Sequence, residues 1–283
     1  MFALAFGGGA AKGLAHIGVL KGLDEDGVEV KAVAGTSMGS IIGGLAAQGL
    51  RGYEMEALFC AVDWVRLGRI MVMSVSGAAY HDMLRESFGE VLIEDLKLPF
   101  AAVCCDLDSG EMVVLDSGSL AEAVAASSSI PGVLPSRQVG DRRLIDGAVV
   151  EPVPVTAAAA LGEWPVLAVN VVRPSAGPES GGSILSTMPV RVELPSVFGR
   201  VERWLRRQAT ETAEGEIRAR LSRWETVLRS FHIMQHRLAT CGRLAVPLIE
   251  PEVGRFGWFD FHRADEIIAA GYHAYRRFAD ERA

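Results

Sequence analysis

The chain has 283 residues, 49% of them hydrophobic and 22% charged, with a mean hydropathy of +0.24. That composition excludes a disordered chain, and a net charge of −7 argues against whole-chain attraction to nucleic acid. No apolar run reaches the ~18 uncharged residues of a spanning helix, and a chain this long hides about three-quarters of its unfolded surface.

Phe2–Phe6 is an apolar run ending at Gly7-Gly8-Gly9, which reads as a buried strand feeding a glycine loop. Leu14, Ile17, Leu20 and Leu23 recur at three-residue steps and Gly27 closes them, which predicts a helix. Val30–Ala34 predicts a second strand, ending at Gly35-Thr36-Ser37-Met38-Gly39, and Ile41–Leu50 a small-residue helix. Strand, loop, helix, strand, turn, helix is a βαβα opening, which needs parallel strands and right-handed crossovers. Phe100–Cys105 and Met112–Leu115 are predicted strands around a turn in which Asp106 and Asp108 read as structural.

Leu120–Ser129 is a predicted helix stopped by Pro131, and Arg143–Ile145 a short strand ending at Asp146-Gly147. Val153–Leu161 is a predicted helix opened by a proline and closed by Gly162, and Val166–Val172 a central strand. Residues 173–189 break the pattern and are predicted to be a long loop, functional or mobile. Residues 200–239 read as helical, with Ile217, Leu221, Trp224, Leu228, Phe231, Met234 and Leu238 marking one apolar face. Arg200 to Arg229 holds eight Arg against five Glu, a local balance of +3 that leaves −10 for the rest. This segment, with Trp204 and Trp224, is a candidate for transient contact with an anionic membrane surface, although packing on the sheet explains the same stripe. Leu244–Ile249 reads as a strand that Pro247 confines to an edge, and Arg263–Phe278 as a last helix.

The expected architecture is one three-layer α/β/α domain with a parallel-rich central sheet. It has a motif-bearing core at 1–172, a loop at 173–189 and a helical part at 190–283. Cys60, Cys104, Cys105 and Cys241 make no C-x-x-C pair and read as buried reduced thiols. No cationic start precedes an apolar segment, so no secretory peptide is expected and the cytoplasm is the expected compartment.

Ser37 carries the chemical argument. It is the centre of a G-x-S-x-G at a strand-to-helix junction, where small neighbours permit the sharp turn that exposes a nucleophilic Oγ. The following helix would bring backbone N–H groups and its positive dipole end beside it; an ordinary Gly-Ser turn with Ser37 as N-cap is the plainer alternative. The loop Gly7–Gly13 fails as a P-loop, because Lys12 precedes Gly13 and Leu14 follows it. It fails as a dinucleotide fingerprint as well, because Lys12 and Ala10 fall where glycines are needed. What remains is an oxyanion hole of unshielded amides, worth about 3–4 kcal/mol per donor in measured cases.

The general base is less plain. His16, His81, His232, His236, His262 and His273 include no H-E-x-x-H, and His232 and His236 read as structural or surface histidines. Asp146, just after a short strand and before Gly147, can act as a base if it reaches Ser37 directly; a turn aspartate before glycine is its commoner use.

Together, Gly-Gly-Gly-x-x-Lys-Gly at 7–13, Gly-x-Ser-x-Gly at 35–39 and Asp-Gly-Ala at 146–148 resemble the patatin-like phospholipase family. The resemblance spans most of 2–172 and includes Ser127-Ser128-Ser129-Ile130-Pro131-Gly132. Phe259-Asp260-Phe261 before the last helix is similar to bacterial single-domain members. It implies Ser37 as nucleophile, Asp146 as its partner in a Ser–Asp dyad, and Gly8 and Gly9 as oxyanion-hole glycines, with the Met38 amide as a further donor. Lys12 matches a basic position that braces the loop. The family's usual third glycine is Ala10 here; if that position needs φ > 0, alanine costs about 1 kcal/mol or more. The implied activity is hydrolysis of lipid carboxylic esters through an acyl-enzyme, with no metal or cofactor and with a lipid or small ester as substrate. Passing the acyl group to another acceptor, or a weakly catalytic lipid-binding role, are the alternatives.

Overall fold

The computed structural model describes residues 1–64, 78–172, 212–241 and 246–282, with 212–225 and 241 as backbone only. The chain opens with strand β1 (Phe2–Phe6), a 3-10 turn (Ala10–Leu14), helix α1 (Ala15–Glu25), strand β2 (Val30–Thr36) and helix α2 (Met38–Gln48). Helices α3 (Gly52–Ala61) and α4 (Ala78–Phe88) precede strand β3 (Phe100–Asp106), strand β4 (Met112–Leu115) and helix α5 (Leu120–Ser127). Strands β5 (Arg137–Val139) and β6 (Arg142–Asp146), helix α6 (Val155–Ala160) and strand β7 (Val166–Val169) complete the core. Helix α7 (Thr212–Cys241), strand β8 (Leu248–Ile249) and helix α8 (Ala264–Asp280) end the chain.

The strands join in the order β5-β6-β3-β2-β1-β7-β8, with β4 also on β3. β3, β2, β1, β7 and β8 are parallel neighbours, while β4 and β6 run antiparallel to β3, and β5 antiparallel to β6. Pro247 immediately precedes β8, which among the described residues pairs only with β7 and so lies at the edge of the sheet, as expected beside a proline. The register around β3 places the site. Val103 pairs with Thr36 of β2 and also with Val114 of β4, so those two strands take opposite edges. Cys104 pairs with Val113 of β4 and also with Asp146 of β6. β2 and β6 therefore share one edge of β3 and meet there end to end, Thr36 and Asp146 facing adjacent residues.

Period-two alternation sends β-strand side chains to opposite faces. Leu4, Phe6, Val33, Phe100, Leu167 and Val169 point into one cluster with α1, α2, α3, α4, α5 and α8. Ala3, Ala5, Ala32, Ala34, Ala101 and Ala168 point into the other, beneath Ala157 and Ala158 of α6 and Ala239 of α7. Helices thus cover both faces, which makes the sheet the middle of three layers. α8 lies directly on α1: a Cβ on Gly18 would meet Ile268 O at 1.9 Å, and one on Gly271 would meet Ala15 O at the same distance. Tyr275 Oη donates to Asp26 Oδ2 at 2.8 Å and Arg276 pairs with Asp26 and Glu25, closing the far end of that contact. Among the described residues no helix is long and apolar enough to cross a membrane.

Several expectations need correction. α7 buries Leu228, Phe231, Gln235 and Ala239, spaced three, four and four, while Met234 is 37% and Leu238 42% exposed. The inward stripe thus turns one residue past Phe231 relative to the apolar pattern. β6 extends to Asp146, so the aspartate ends the strand and does not follow it. Cys60 is exposed on α3, although Cys104 and Cys105 are buried. The loop at 173–189, Trp204 and the arginines of 200–211 lie outside the described residues, as do the side chains of Ile217, Leu221, Trp224 and Cys241.

Candidate active site

β2 ends at Thr36 and α2 begins at Met38, so Ser37 makes the whole turn alone, at φ 55° and ψ −124°. A non-glycine residue in that region is strained and persists only where its surroundings enforce it. The enforcement is visible. A Cβ on Gly35 would lie 2.3 Å from Gly39 O, and one on Gly39 only 2.1 Å from Phe6 O. Glycines at both positions let α2 start directly against β1 and β2. Ser40 N and Ser40 Oγ donate to Ser37 O at 2.9 and 2.7 Å. Ser37 N–H donates to Ser127 Oγ at 3.0 Å, and Ser127 Oγ donates to Val103 O at 2.6 Å. Ser127 thus fills the notch on the edge of β3 where β2 stops and β6 has not yet begun.

Asp146 enters from the other side of that notch. Its N–H donates to Ser129 O at 3.0 Å, and its Oδ1 accepts the Ala148 N–H at 2.9 Å. Gly147 passes so close to β3 that a Cβ there would meet Val103 O at 2.1 Å. The carboxyl is fully buried, and among the described residues Oδ2 has no hydrogen-bond partner. Burial pushes the Asp146 pKa up to about 7, against the opposing pull of the Ser37 hydroxyl and the Ala148 amide. The Ser37 hydroxyl therefore lies near enough to favour the carboxylate, while no Ser37–Asp146 hydrogen bond of good geometry is formed. The same buried carboxyl, after desolvation, helps hold the Tyr80 hydroxyl and the Cys104 thiol above their ordinary values.

The glycine loop lies against this pair: a Cβ on Gly8 would be 3.2 Å from Ser37 Cβ and 3.4 Å from Ala148 Cβ. Gly13 carries the 3-10 turn over Met38, whose Cγ would be 2.4 Å from an added Cβ. Of the three amides expected to form an oxyanion hole, that of Gly8 is engaged, donating to Pro152 O at 2.9 Å. The backbone beyond β1 keeps bonding its neighbours, with Gly7 N–H on Val169 O at 3.0 Å. The amides of Gly9, Ala10 and Met38 make no hydrogen bond among the described residues, Met38 being the first residue of α2. Ala10 adopts φ 48°, the left-handed conformation expected to favour glycine.

Two basic side chains of this region, Lys12 and His16, are buried. His16 Nε2 lies 2.7 Å from Gly7 O, which can only accept, so this nitrogen carries the proton. Burial lowers the His16 pKa to about 4, and the ring stacks on Phe6. Lys12 is 1% exposed; burial lowers its pKa to about 8, partly offset by the nearby Asp260 carboxylate. Asp260 Oδ2 accepts Gly257 N–H at 2.8 Å, and Trp258 O accepts Ala11 N–H at 3.0 Å.

Ser37 and Asp146 line a narrow recess. Gly9 and Ala10 form its near side; Ile130, Phe231, Gln235 and Trp258 close it. Phe231 and Trp258 meet edge to face, and Leu228 packs behind them. Trp258, Gln235 and the role of Ser127 are absent from the sequence reading. Ser127 had a signal, a serine run ending a small-residue helix. Gln235 had none, since periodicity pointed to Met234. The remaining candidates are structural: Asp106 Oδ1 accepts Asp108 N–H at 2.9 Å and Asp108 pairs with Arg143. His236 Nδ1 donates to Val172 O at 3.1 Å, and Trp258 Nε1 donates to His232 Nδ1 at 3.3 Å.

Fold and site together define an α/β protein whose serine, on a strained strand-to-helix elbow, faces a buried aspartate beside a glycine loop. The sequence profile described as patatin-like phospholipase matches residues 4–159, more than half of the chain. The chain belongs to the patatin-like phospholipase family. It is 36% identical over 182 residues to an uncharacterised NTE family protein of Mycobacterium tuberculosis, an alignment covering 62% of this chain and 50% of the relative. A patatin-like phospholipase domain-containing protein of Caenorhabditis elegans is 32% identical over 95% of this chain and 20% of its own length. A protein named lysophospholipase NTE1 from Coccidioides immitis is 29% identical over 98% of this chain and 17% of its own length. The chain therefore spans half or less of the length of these relatives.

Proposed function

We propose that this chain hydrolyses carboxylic esters of lipids, with Ser37 as nucleophile and Asp146 as the general base of a two-residue dyad. The observation that carries the proposal is the pairing of a strained Ser37 with a fully buried Asp146 whose Oδ2 has no partner among the described residues. Asp146 takes the Ser37 proton and Oγ attacks the ester carbonyl. The amides of Gly9, Ala10 and Met38 meet the negative charge that develops on the carbonyl oxygen. Collapse releases the alcohol and leaves acyl-Ser37, which water hydrolyses with Asp146 again as base. Lys12, with Asp260 beside it, braces the loop that carries two of those amides. Ile130, Phe231 and Trp258 give the recess an apolar side, and the relatives' names support a lipid ester as the substrate class.

The test is hydrolysis of a chromogenic fatty-acid ester, with fluorophosphonate labelling, by wild type, Ser37→Ala and Asp146→Asn at equal folded concentration. Each substitution is expected to lower kcat/KM by about a thousandfold or more, with labelling lost in Ser37→Ala. Full activity in Ser37→Ala overturns the assignment.

A further inference from the structure

Among the described side chains of α7, one polar residue turns inward. Leu228, Phe231, Gln235 and Ala239 form its buried stripe, and Gln235 is 3% exposed. Its Oε1 has no hydrogen-bond partner among the described residues, and its side chain lines the recess that holds Ser37 and Asp146. A buried amide oxygen left unpaired costs about 1–3 kcal/mol. A leucine or methionine would continue the stripe without that penalty, so packing alone does not account for the amide. Asp146 Oδ2 is the other buried oxygen of the recess in the same condition.

Two buried, unpaired acceptors on residues that line one narrow recess match a molecule with two donors. An ester substrate offers acceptors at its reacting end, and the Ser37 hydroxyl has a single proton to give. Water has two. We infer that Gln235 positions the hydrolytic water of the second half-reaction; this rests on the Ser37–Asp146 reading above.

The water donates one O–H to Asp146 Oδ2 and the other to Gln235 Oε1, which sets its lone pair toward the carbonyl carbon of acyl-Ser37. The new C–O bond forms as one proton passes to Asp146. The tetrahedral intermediate collapses with cleavage of the C–Oγ bond, and Asp146 returns that proton to Ser37 Oγ. A fatty acid leaves and the serine is restored. Acylation needs no such water, so Gln235 acts on one half of the cycle only. A polar residue contributed by α7, outside the family match at 4–159, would then decide how quickly the acyl-enzyme is resolved.

The experiment is rapid-quench kinetics with p-nitrophenyl butyrate on wild type, Gln235→Leu and Gln235→Met, the adduct on Ser37 being followed by intact mass. In both variants the rate of nitrophenol release in the first turnover should stay within about threefold of wild type. Steady-state turnover should fall about ten- to a hundredfold, the range of one lost hydrogen bond to a reacting group, and acyl-Ser37 should accumulate. Added methanol should recover part of the lost nitrophenol release, because a small alcohol can replace the misplaced water. Equal losses in both phases, or unchanged turnover, overturn the role of Gln235 and leave the dyad standing. A wild type that shows no Ser37 adduct with either the ester or a fluorophosphonate overturns the dyad and this inference with it. Methionine matches glutamine closely in length, so a folding defect confined to the leucine variant leaves the test intact.

Discussion

The floor and the wall of the recess are built in opposite ways. The floor is backbone: Gly35 and Gly39 let main chains touch, Ser127 ties Ser37 N–H to Val103 O, and Asp146 is anchored through its own N–H and Oδ1. The wall is side chain: Phe231 on Trp258, Leu228 behind, and Gln235 with an oxygen unspent. A floor made of main-chain contacts tolerates almost no change, because a single added Cβ would overlap a carbonyl. A wall made of packed side chains can be re-shaped by volume-conserving exchange at small cost. Under the proposed mechanism, chemistry falls to the floor and choice of substrate and acceptor to the wall.

The sharpest way to probe the floor after direct substitution is pH. In the proposed mechanism Asp146 can serve as base only when ionised, and burial raises its pKa to about 7. The expected kcat/KM is flat above neutrality and falls about tenfold per unit below it, so about a hundredfold by pH 5. The same shift has a stability consequence of fixed sign. A carboxyl raised above its unfolded value favours the fold fully below pH 3.8 and loses that contribution as pH rises through about 7. Asp146→Asn should therefore raise Tm more at pH 8 than at pH 4. His16 runs the other way, since a histidine lowered to about 4 weakens the fold as pH drops below 6.5. The acid limb is accordingly measured with the folded fraction followed by circular dichroism. A profile independent of pH from 5 to 8 would remove Asp146 as the base.

How far each part was legible in the sequence follows the same division. The floor is written as glycines at fixed spacings, because main-chain contact admits no other residue, and Gly35, Ser37, Gly39, Asp146 and Gly147 all converge in the structure. The availability of a particular amide is not so written. Gly8 looked equivalent to Gly9 until Pro152 O was found on its N–H, a partner supplied by a segment some hundred and forty residues on. The core strands were legible because buried β-structure is locally apolar, whereas the polar β5 gave no such run; α3 and α4 carry fewer inward positions and left no clear period. The wall was least legible: Gln235 faces inward where Met234 is the apolar neighbour, and only the packing of α7 decides between them. Nothing in Trp258 announces that its carbonyl would hold Ala11.

Ser127 tests whether the floor needs its side-chain peg. Ser127→Ala leaves Ser37 N–H and Val103 O unpaired where water does not reach, each at about 1–3 kcal/mol. The expected result is a Tm several degrees lower together with a tenfold drop in kcat and little change in KM. Ser127→Thr, which keeps the hydroxyl, should recover most of kcat. A lower Tm with kcat intact would confine Ser127 to stability.

Ala10 is where floor and wall meet, and it carries the smallest expected effect. Its amide is one of the proposed oxyanion donors, while its methyl packs with Ala148, Leu228, Phe231 and Trp258. At φ 48° an alanine is strained by about 1–2 kcal/mol. Ala10→Gly relieves that strain, but it frees the unfolded chain, at about 0.4–1 kcal/mol, and removes a buried methyl, at about 0.8 kcal/mol. The terms nearly cancel, so Tm should move by less than about 2 °C and kcat/KM by less than about threefold. Ala10→Val adds a β-branched residue at the same φ and should lower both clearly. A tenfold gain in kcat/KM for Ala10→Gly would mean instead that alanine displaces the oxyanion donors. A clear loss of Tm for the same variant would mean that contact with the wall, and not the backbone of the floor, holds the loop in place.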